Sequence, residues 1–166
     1  KRGAKIYGEV VGASMTSDAY HMTATHPEGL GAIQAMKFAL EEAGLTIRDV
    51  NYLNPHATST PVGDLSETKA ITTLTGDQKN GLFISATKSI TGHLLGAAGA
   101  GEAIIALMAM QENTIPPTIN TEEMDPAISG NLNIVINEAV QAPVSVAMSN
   151  TFGFRGDNGT VVFRKL

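Results

Sequence analysis

The most informative stretch of this chain is Lys88-Ser89-Ile90-Thr91-Gly92-His93-Leu94-Leu95-Gly96-Ala97-Ala98-Gly99. It places a lysine and a histidine ahead of a helix, predicted over Leu94–Met110, that is apolar and rich in small residues. The free amides and the dipole at the start of a helix favour an anion or a developing negative charge. Glu102 is the only charged residue of this helix. A carboxylate in an apolar place needs a partner, and Lys88 is the natural one unless it simply faces water.

The remaining apolar stretches predict an α/β arrangement over residues 1–166 as a single domain. Strand-like stretches that alternate with helices lie at 4–11, 50–53 and 82–85. After a connecting loop at 113–126, three more follow without intervening helices, at 132–136, 144–148 and 161–163. Strands in direct succession favour antiparallel pairing at the end of the sheet.

Two further helices are predicted before the central one. The first opens at Pro27-Glu28, keeps helical apolar spacing and ends at Gly44. The second is predicted to begin near Asp64, where Asp64 and Glu67 have the spacing of a capping box. The central helix is too short and glycine-rich to favour a membrane span, and its carboxylate argues further against one.

Composition narrows the classes of function. Apolar residues make up 43% of the chain and charged residues only 16%, which is low for an isolated domain and favours a surface covered by a partner. A net charge of -5 without clustered Lys and Arg argues against nucleic-acid binding. The chain has no cysteine, which excludes disulfides, thiolate metal sites and a thiol nucleophile from it. The start, without an apolar leader, reads as a cut through a longer polypeptide.

Three loops carry unusual residues, and each is predicted to follow a strand. They are 54–64 with His56 and a run of hydroxyl residues, 87–99 with Lys88 and His93, and 150–158 with two phenylalanines among glycines. Taken singly, each has an ordinary structural interpretation: a helix-capping turn, a lysine facing water, a hairpin with an aromatic plug. Together they indicate a site, because sites in α/β sheets gather at the carboxyl ends of strands.

In this order, the three loops resemble the C-terminal motifs of the β-ketoacyl-acyl-carrier-protein synthases of the thiolase superfamily. The segments 17–23 (SDAYHMT) and 116–120 (PPTIN) also look like that family, so the resemblance covers essentially the whole chain. The stretch Lys88–Gly99 looks closer to the type II elongation synthases than to type I. The resemblance implies the C-terminal half of a thiolase-like fold, with the N-terminal half absent. The implied core is a mixed five-stranded sheet between helical layers, αβαβα in the full enzyme.

The resemblance also implies an activity, the decarboxylative Claisen condensation of an acyl thioester with malonyl-acyl-carrier protein in fatty acid elongation. By motif position, His56 and His93 would donate hydrogen bonds to the malonyl thioester oxygen as an enolate forms. Lys88 and Glu102 would be the family's supporting pair. Phe154 would supply a backbone amide to a second oxyanion and act as a gate, while the nucleophilic cysteine would lie in the absent half. The chain alone is therefore expected to be inactive.

Further expectations concern ligands and partners. Thr58 and Thr60 match hydroxyls that contact the phosphopantetheine arm, and Phe152 is expected with them at the substrate-binding site. No cofactor and no metal is implied. The partners would be acyl carrier protein and a second copy in a cytoplasmic homodimer, with no nucleic acid and no membrane.

Three alternatives remain at this point. One is a non-catalytic synthase-like partner subunit of the chain-length-factor type, and another is a polyketide ketosynthase domain. A third is a metal-dependent hydrolase built on the chain's histidines, His21, His26, His56 and His93. It is disfavoured because no carboxylate or thiolate lies at ligand spacing with them.

The chain departs from the family pattern at three positions. Pro55 stands where a small residue is usual and could tilt the His56 ring, and Ala57 stands at a frequent glycine. Where the family typically reads Phe-Gly-Gly, this chain has Phe154-Arg155-Gly156. Arginine there could restrict the gate, or block the backbone conformation if φ must be positive.

Overall fold

The computed structural model describes residues 2–76, 81–128 and 131–166. Its longer helices are α1 (Leu30–Ala43), α2 (Pro61–Thr75) and α4 (Ala98–Glu112), with a single short turn of helix at α3 (Lys88–Thr91). Its strands, in chain order, are β1 (Glu9–Ser17), β2 (Tyr52–Asn54), β3 (Phe83–Ile84), β4 (Thr114–Ile115), β5 (Asn133–Ile134), β6 (Val140–Gln141), β7 (Val146–Gly153) and β8 (Asp157–Arg164).

The main sheet is mixed and lies between helical layers, as predicted. Its strand order is β1-β8-β7-β2-β3-β5, with β7, β2, β3 and β5 parallel and with β8 antiparallel to both β7 and β1. One apolar core lies on the side of α1 and α2, and a second lies under α4. The sheet thereby brings the carboxyl ends of β2, β3 and β7 to one edge.

The resemblance implied five strands, and that count was wrong, because the main sheet has six strands within the described residues. Each of the six overlaps one of the strand-like stretches predicted from the sequence. The edge strand β5 pairs in parallel with β3, so of the three successive strands predicted to pair antiparallel, only β7 and β8 do so. A crossover from β3 through α4 and the following loop returns the chain in the same direction, which is what parallel pairing requires. The predicted loop 113–126 also contains β4, which pairs with β6 in a small second sheet.

The first strand lies further along the chain than predicted, at Glu9–Ser17 instead of 4–11. Its polar side chains make the strand hard to recognise from the apolar pattern of the sequence. The Ser14 and Thr16 hydroxyls donate to the carbonyls of Ala35 and Gly31 in α1. Gly12 lies so close to α1 that an added Cβ would meet the Ala39 carbonyl oxygen at 2.1 Å. Close packing on a helix thus replaces the apolar alternation from which strands are usually recognised.

The predicted end of α1 at Gly44 is confirmed, since Gly44 adopts the left-handed conformation and its N–H is bonded to carbonyls of the last turn. The predicted capping box at Asp64 is wrong. Helix α2 begins at Pro61 after Thr60, and Glu67 accepts hydrogen bonds from amides of the preceding loop. Proline at the first helical position explains the earlier start.

The central helix is shorter at its start than predicted, because α4 begins at Ala98 and not at Leu94. Leu95 has a φ of 52°, which no α-helix accommodates, and a separate turn of 3-10 helix covers Leu95–Ala97. Within the described residues, no helix is long and apolar enough to cross a membrane.

Candidate active site

The three predicted segments meet because they lie at the carboxyl ends of three parallel strands that share one edge of the sheet. The prediction of a loop at 150–158 was wrong in part, because β7 continues to Gly153 and β8 begins at Asp157. The rings of His56 and His93 lie edge to face with their centroids 5.5 Å apart. The Phe152 ring lies 5.6 Å from that of His56. The loops that the sequence singled out therefore form one cluster of three rings.

His93 is exposed, and its ring is oriented by its own loop. The backbone N–H of Leu95 donates to His93 Nδ1 at 3.2 Å. Since Nδ1 accepts, a neutral His93 carries its proton on Nε2. The left-handed Leu95 thus leaves His93 with a hydrogen-bond donor, Nε2–H, for a ligand.

His56 is half-buried, and burial lowers the pKa of its ring to about 3, with the charges of Lys88 and His93 acting in the same direction. Its Nδ1 is buried and has no hydrogen-bond partner among the described residues. A neutral imidazole donates one hydrogen bond through its single N–H, and it lacks the second, acidic proton of an imidazolium. Such a histidine is suited to stabilise an anion without acting as an acid.

We expect the His56 imidazole to stay neutral from about pH 5 to pH 8, because its folded pKa lies below the unfolded value. Below pH 6.5 the His56 ring binds a proton in the unfolded chain but not in the folded one. The contribution of His56 to the free energy of unfolding is therefore fully present above pH 6.5 and is lost as the pH falls towards 3. Long-range ¹H–¹⁵N NMR of the imidazole and urea unfolding at two pH values test this. Between pH 7.5 and pH 5, the free energy of unfolding of the parent should fall by about 1 kcal/mol more than that of His56→Gln, a figure that includes the effect of partial solvent contact. A His56 ring that titrates near pH 6.5 would contradict the expectation.

Lys88 and Glu102 form a buried ion pair, which is the partnership predicted from the carboxylate in the apolar helix. Burial raises the pKa of Glu102, and the hydrogen bond and charge of Lys88 oppose the rise. Glu102 Oε2 is buried and has no hydrogen-bond partner among the described residues. The pair joins α3 to α4 close to both histidines, because Lys88 lines the same cleft as His93 and its charge acts on His56.

The hydroxyls of Thr58 and Thr60 lie 3.2 Å apart at the start of α2. Both residues line a cleft of about 830 Å³, together with Lys88 and His93. Small hydroxyls beside two basic side chains form a channel able to hold a narrow polar chain. Asp64 also lines the cleft, and burial raises the pKa of its carboxyl.

Phe154 lies apart from the ring cluster, with 76% of its surface exposed. It begins the turn Phe154–Gly156 between β7 and β8, in which Arg155 has a φ of 70°. The Arg155 N–H donates to the Met22 carbonyl at 2.8 Å. The turn therefore requires a positive φ, and arginine adopts it instead of blocking it.

The structure adds two buried residues to which the sequence assigned no place in the site. Glu67 and Asn150 are hydrogen-bonded to each other beneath the His56 loop. A signal was present for Glu67, because it shares the apolar face of α2 with Ala70 and Ile71, where an unexplained carboxylate needs partners. Asn150 lies in the segment predicted as a loop, which the structure shows to be part of β7, and nothing in the sequence pattern indicates its contacts.

The structure gives no support to a metal site. No group of three or more His, Asp or Glu side chains within 2–76, 81–128 and 131–166 is placed to hold an ion. The Nδ1 atoms of His21 and His26 accept hydrogen bonds from backbone amides of their own loop.

Comparisons with known proteins agree on one family. The family described as "Beta-ketoacyl synthase, C-terminal domain" matches residues 7–122. The chain is 49% identical to 3-oxoacyl-[acyl-carrier-protein] synthase 2 of Staphylococcus aureus (strain COL) over 164 residues, which cover 99% of this chain and 39% of that protein.

Two solved structures are similar with a TM-score of 0.92. One is a beta-ketoacyl synthase from Burkholderia phymatum STM815, 39% identical, for which the alignment covers 99% of this chain and 39% of that one. The other is a type II PKS acyl-carrier protein in complex with its ketosynthase bound to the hexaketide, 32% identical, with 99% and 40% covered. The chain thus spans about two fifths of the proteins it matches.

Proposed function

Because this chain belongs to the family of β-ketoacyl synthase C-terminal domains, we propose that it forms part of a 3-oxoacyl-[acyl-carrier-protein] synthase. The complete enzyme would condense an acyl thioester with malonyl-acyl-carrier protein in fatty acid elongation. The observation that carries the proposal is the pair of neighbouring histidines, one of which is held neutral by burial and the other oriented with Nε2–H free.

In the proposed reaction, the malonyl thioester loses CO₂, and the electrons of the broken C–C bond form an enolate. His56 and His93 donate hydrogen bonds to the enolate oxygen as its charge develops, where preorganised donors contribute most. The enolate carbon then attacks the acyl thioester on a cysteine, and the thiolate leaves. This chain contains no cysteine, so the nucleophile comes from another part of the complete synthase.

The other site residues have supporting roles in this proposal. The charge of the Lys88 ammonium acts on His56 and favours its neutral form, and it also favours the anionic enolate. Thr58 and Thr60 contact the phosphopantetheine arm in the cleft that they line. Phe152 packs against His56 at the substrate, and Phe154 acts as the gate, with its exposure leaving room for movement.

The proposed partner is acyl carrier protein bearing a malonyl or acyl group, and the complete synthase is a homodimer. Support for the first comes from the similar ketosynthase that was solved with its acyl-carrier protein. A second polypeptide that covers this chain is supported by exposed apolar side chains on α4 and in the segment before it, namely Leu94, Leu95, Ile104 and Met108. A surface of this kind is typical of an interface.

The fatty-acid reaction is favoured over polyketide synthesis by the comparisons. Identity is 49% to the synthase 2 of Staphylococcus aureus but 32% to the polyketide ketosynthase. The two neighbouring histidine rings argue against a non-catalytic partner subunit, because such a subunit needs no enolate donors.

The test is to fuse this chain to the N-terminal remainder of the Staphylococcus aureus relative. We expect 3-oxoacyl product from acyl thioester and malonyl-acyl-carrier protein with the fusion, and none with this chain by itself. Condensation by the chain alone would overturn the proposal. So would a folded fusion that takes up the acyl group on its cysteine yet forms no product.

A further inference from the structure

A short segment of the chain, 118–120, binds the turn at which the second histidine loop begins. The Ala86 N–H donates to the Thr118 hydroxyl at 2.9 Å, and the Ile119 N–H donates to the Ser89 hydroxyl at 2.9 Å. Ala86 lies before the helical turn α3, and Ser89 lies within it. The segment therefore holds α3 on both sides of the residue at which this turn begins.

Ser89 is the centre of these contacts. Its hydroxyl donates to the Ala86 carbonyl at 2.8 Å while it accepts from Ile119, so both the proton and a lone pair of the oxygen are used. The side-chain amide of Asn120 donates to the Ser89 carbonyl at 3.3 Å. One hydroxyl thus joins two segments that lie 30 residues apart in the sequence.

The holding segment is itself fixed to the edge of the sheet. The Thr118 N–H donates to the Val135 carbonyl at 2.8 Å, and the Asn137 N–H donates to the Thr118 carbonyl at 2.8 Å. The Val135 N–H in turn donates to the carbonyl of Ile84, the last residue of β3, at 2.9 Å. Because the segment is bonded to the sheet, its contacts set the position of α3 instead of following it.

His93 depends on α3 for its position. Among the described residues, the backbone N–H and carbonyl of His93 make no hydrogen bond. The N–H of the preceding residue, Gly92, donates to the Lys88 carbonyl at 2.9 Å and so connects the chain before His93 to α3. Gly92 has a φ of 70°, a conformation that directs the chain out of the turn. A displacement of α3 therefore moves the His93 ring.

We propose that Ser89 is a positioning residue, which together with the segment 118–120 sets the position of His93 for the enolate step. This inference rests on the proposed function, since it needs His93 to donate to the enolate oxygen. Acyl transfer to the cysteine does not require that donor. The segment thereby acts on the cleft whose wall it also forms.

Ser89→Ala in the fusion protein is the main test. Alanine removes the hydroxyl, so the Ile119 N–H loses its acceptor and α3 loses a bond to the fixed segment. We expect kcat for condensation to fall about 10-fold, with KM for malonyl-carrier protein and the rate of acyl transfer to the cysteine each within about 3-fold of the parent. Thr73→Ala is the matched control, because the exposed Thr73 hydroxyl donates to a carbonyl of its own helix, away from the cleft.

A double variant tests whether Ser89 acts through His93. In a His93→Ala background the donor is already absent, so adding Ser89→Ala should lower condensation by less than about 2-fold further. If the two losses multiply in full, Ser89 acts independently of His93, and the inference is overturned.

Thr118→Val tests the same contacts if Ser89→Ala does not fold. Valine has the shape of threonine without the hydroxyl that accepts from Ala86, and we expect about a 3- to 10-fold loss of condensation with acyl transfer retained. Thr118→Ser keeps the hydroxyl and should retain most of the parent rate.

Three results would contradict this role. They are equal losses in both half-reactions, unchanged condensation in the folded Ser89→Ala and Thr118→Val variants, and a loss in Thr118→Ser as large as that in Thr118→Val. An unsubstituted fusion without condensing activity would instead overturn the proposed function, so the two failures are distinguishable.

Discussion

Replacing His93 by alanine in the fusion protein is expected to lower the rate of condensation about 100- to 1000-fold. The ring offers Nε2–H to the enolate oxygen because its Nδ1 already accepts from Leu95. Alanine removes that donor, and water cannot replace it without reorganising at the moment of reaction. His56→Ala should cause a loss of similar size. The measurement is initial product formation at saturating malonyl-carrier protein.

The matched control is His26→Ala, whose ring lies outside the cluster and packs against Tyr20. It should leave the rate within a few-fold of the parent. A second readout is decarboxylation of malonyl-carrier protein without an acyl primer, which should fall in parallel with condensation. Should His93→Ala decarboxylate at the parent rate, the assignment of His93 to the enolate oxygen would be wrong.

Breaking the buried ion pair is expected to have the largest effect on stability. Lys88→Met leaves the Glu102 carboxylate buried without its cation, and the free energy of unfolding should fall by about 3–5 kcal/mol. The double variant Lys88→Met/Glu102→Leu removes both charges, and most of the loss should return. Urea unfolding near pH 7 measures both.

The exposed pair Lys69–Glu28 is the control, with side chains 55% and 58% exposed. Lys69→Met should change the free energy of unfolding by less than about 0.5 kcal/mol. If Lys88→Met lowers the free energy of unfolding by no more than Lys69→Met does, the Lys88–Glu102 pair does not behave as a buried ion pair. The double variant should still condense slowly in the fusion protein, because it lacks the Lys88 cation that acts on His56.

The sequence predicts the site better than it predicts the contacts beneath it. The Lys88–Glu102 pair follows from burial alone, and the meeting of the three loops follows from the shared edge of parallel strands. In contrast, Glu67 has the spacing of a capping residue, yet its carboxylate bonds to a loop ten residues upstream. Local spacing cannot distinguish these outcomes, because the choice depends on where the chain passes after β2.

The errors in element boundaries have a similar origin. Leu95 delays the start of the predicted helix to Ala98 through a left-handed φ that its side chain does not indicate. The strand β1 is stabilised by hydroxyls that donate to α1, so its pattern is not the apolar alternation of a half-buried strand. In both places tertiary contacts override local preference.

Arg155 has a consequence for how relatives of this chain are recognised and redesigned. The turn between β7 and β8 has one residue in the left-handed backbone conformation. Arg155 adopts it with a φ of 70°, and the residue is exposed. A search pattern that insists on two glycines after the phenylalanine would pass over such proteins. Asparagine and aspartate tolerate the same handedness, so a library restricted to Gly, Asn, Asp and Arg would sample this position without remaking the hairpin.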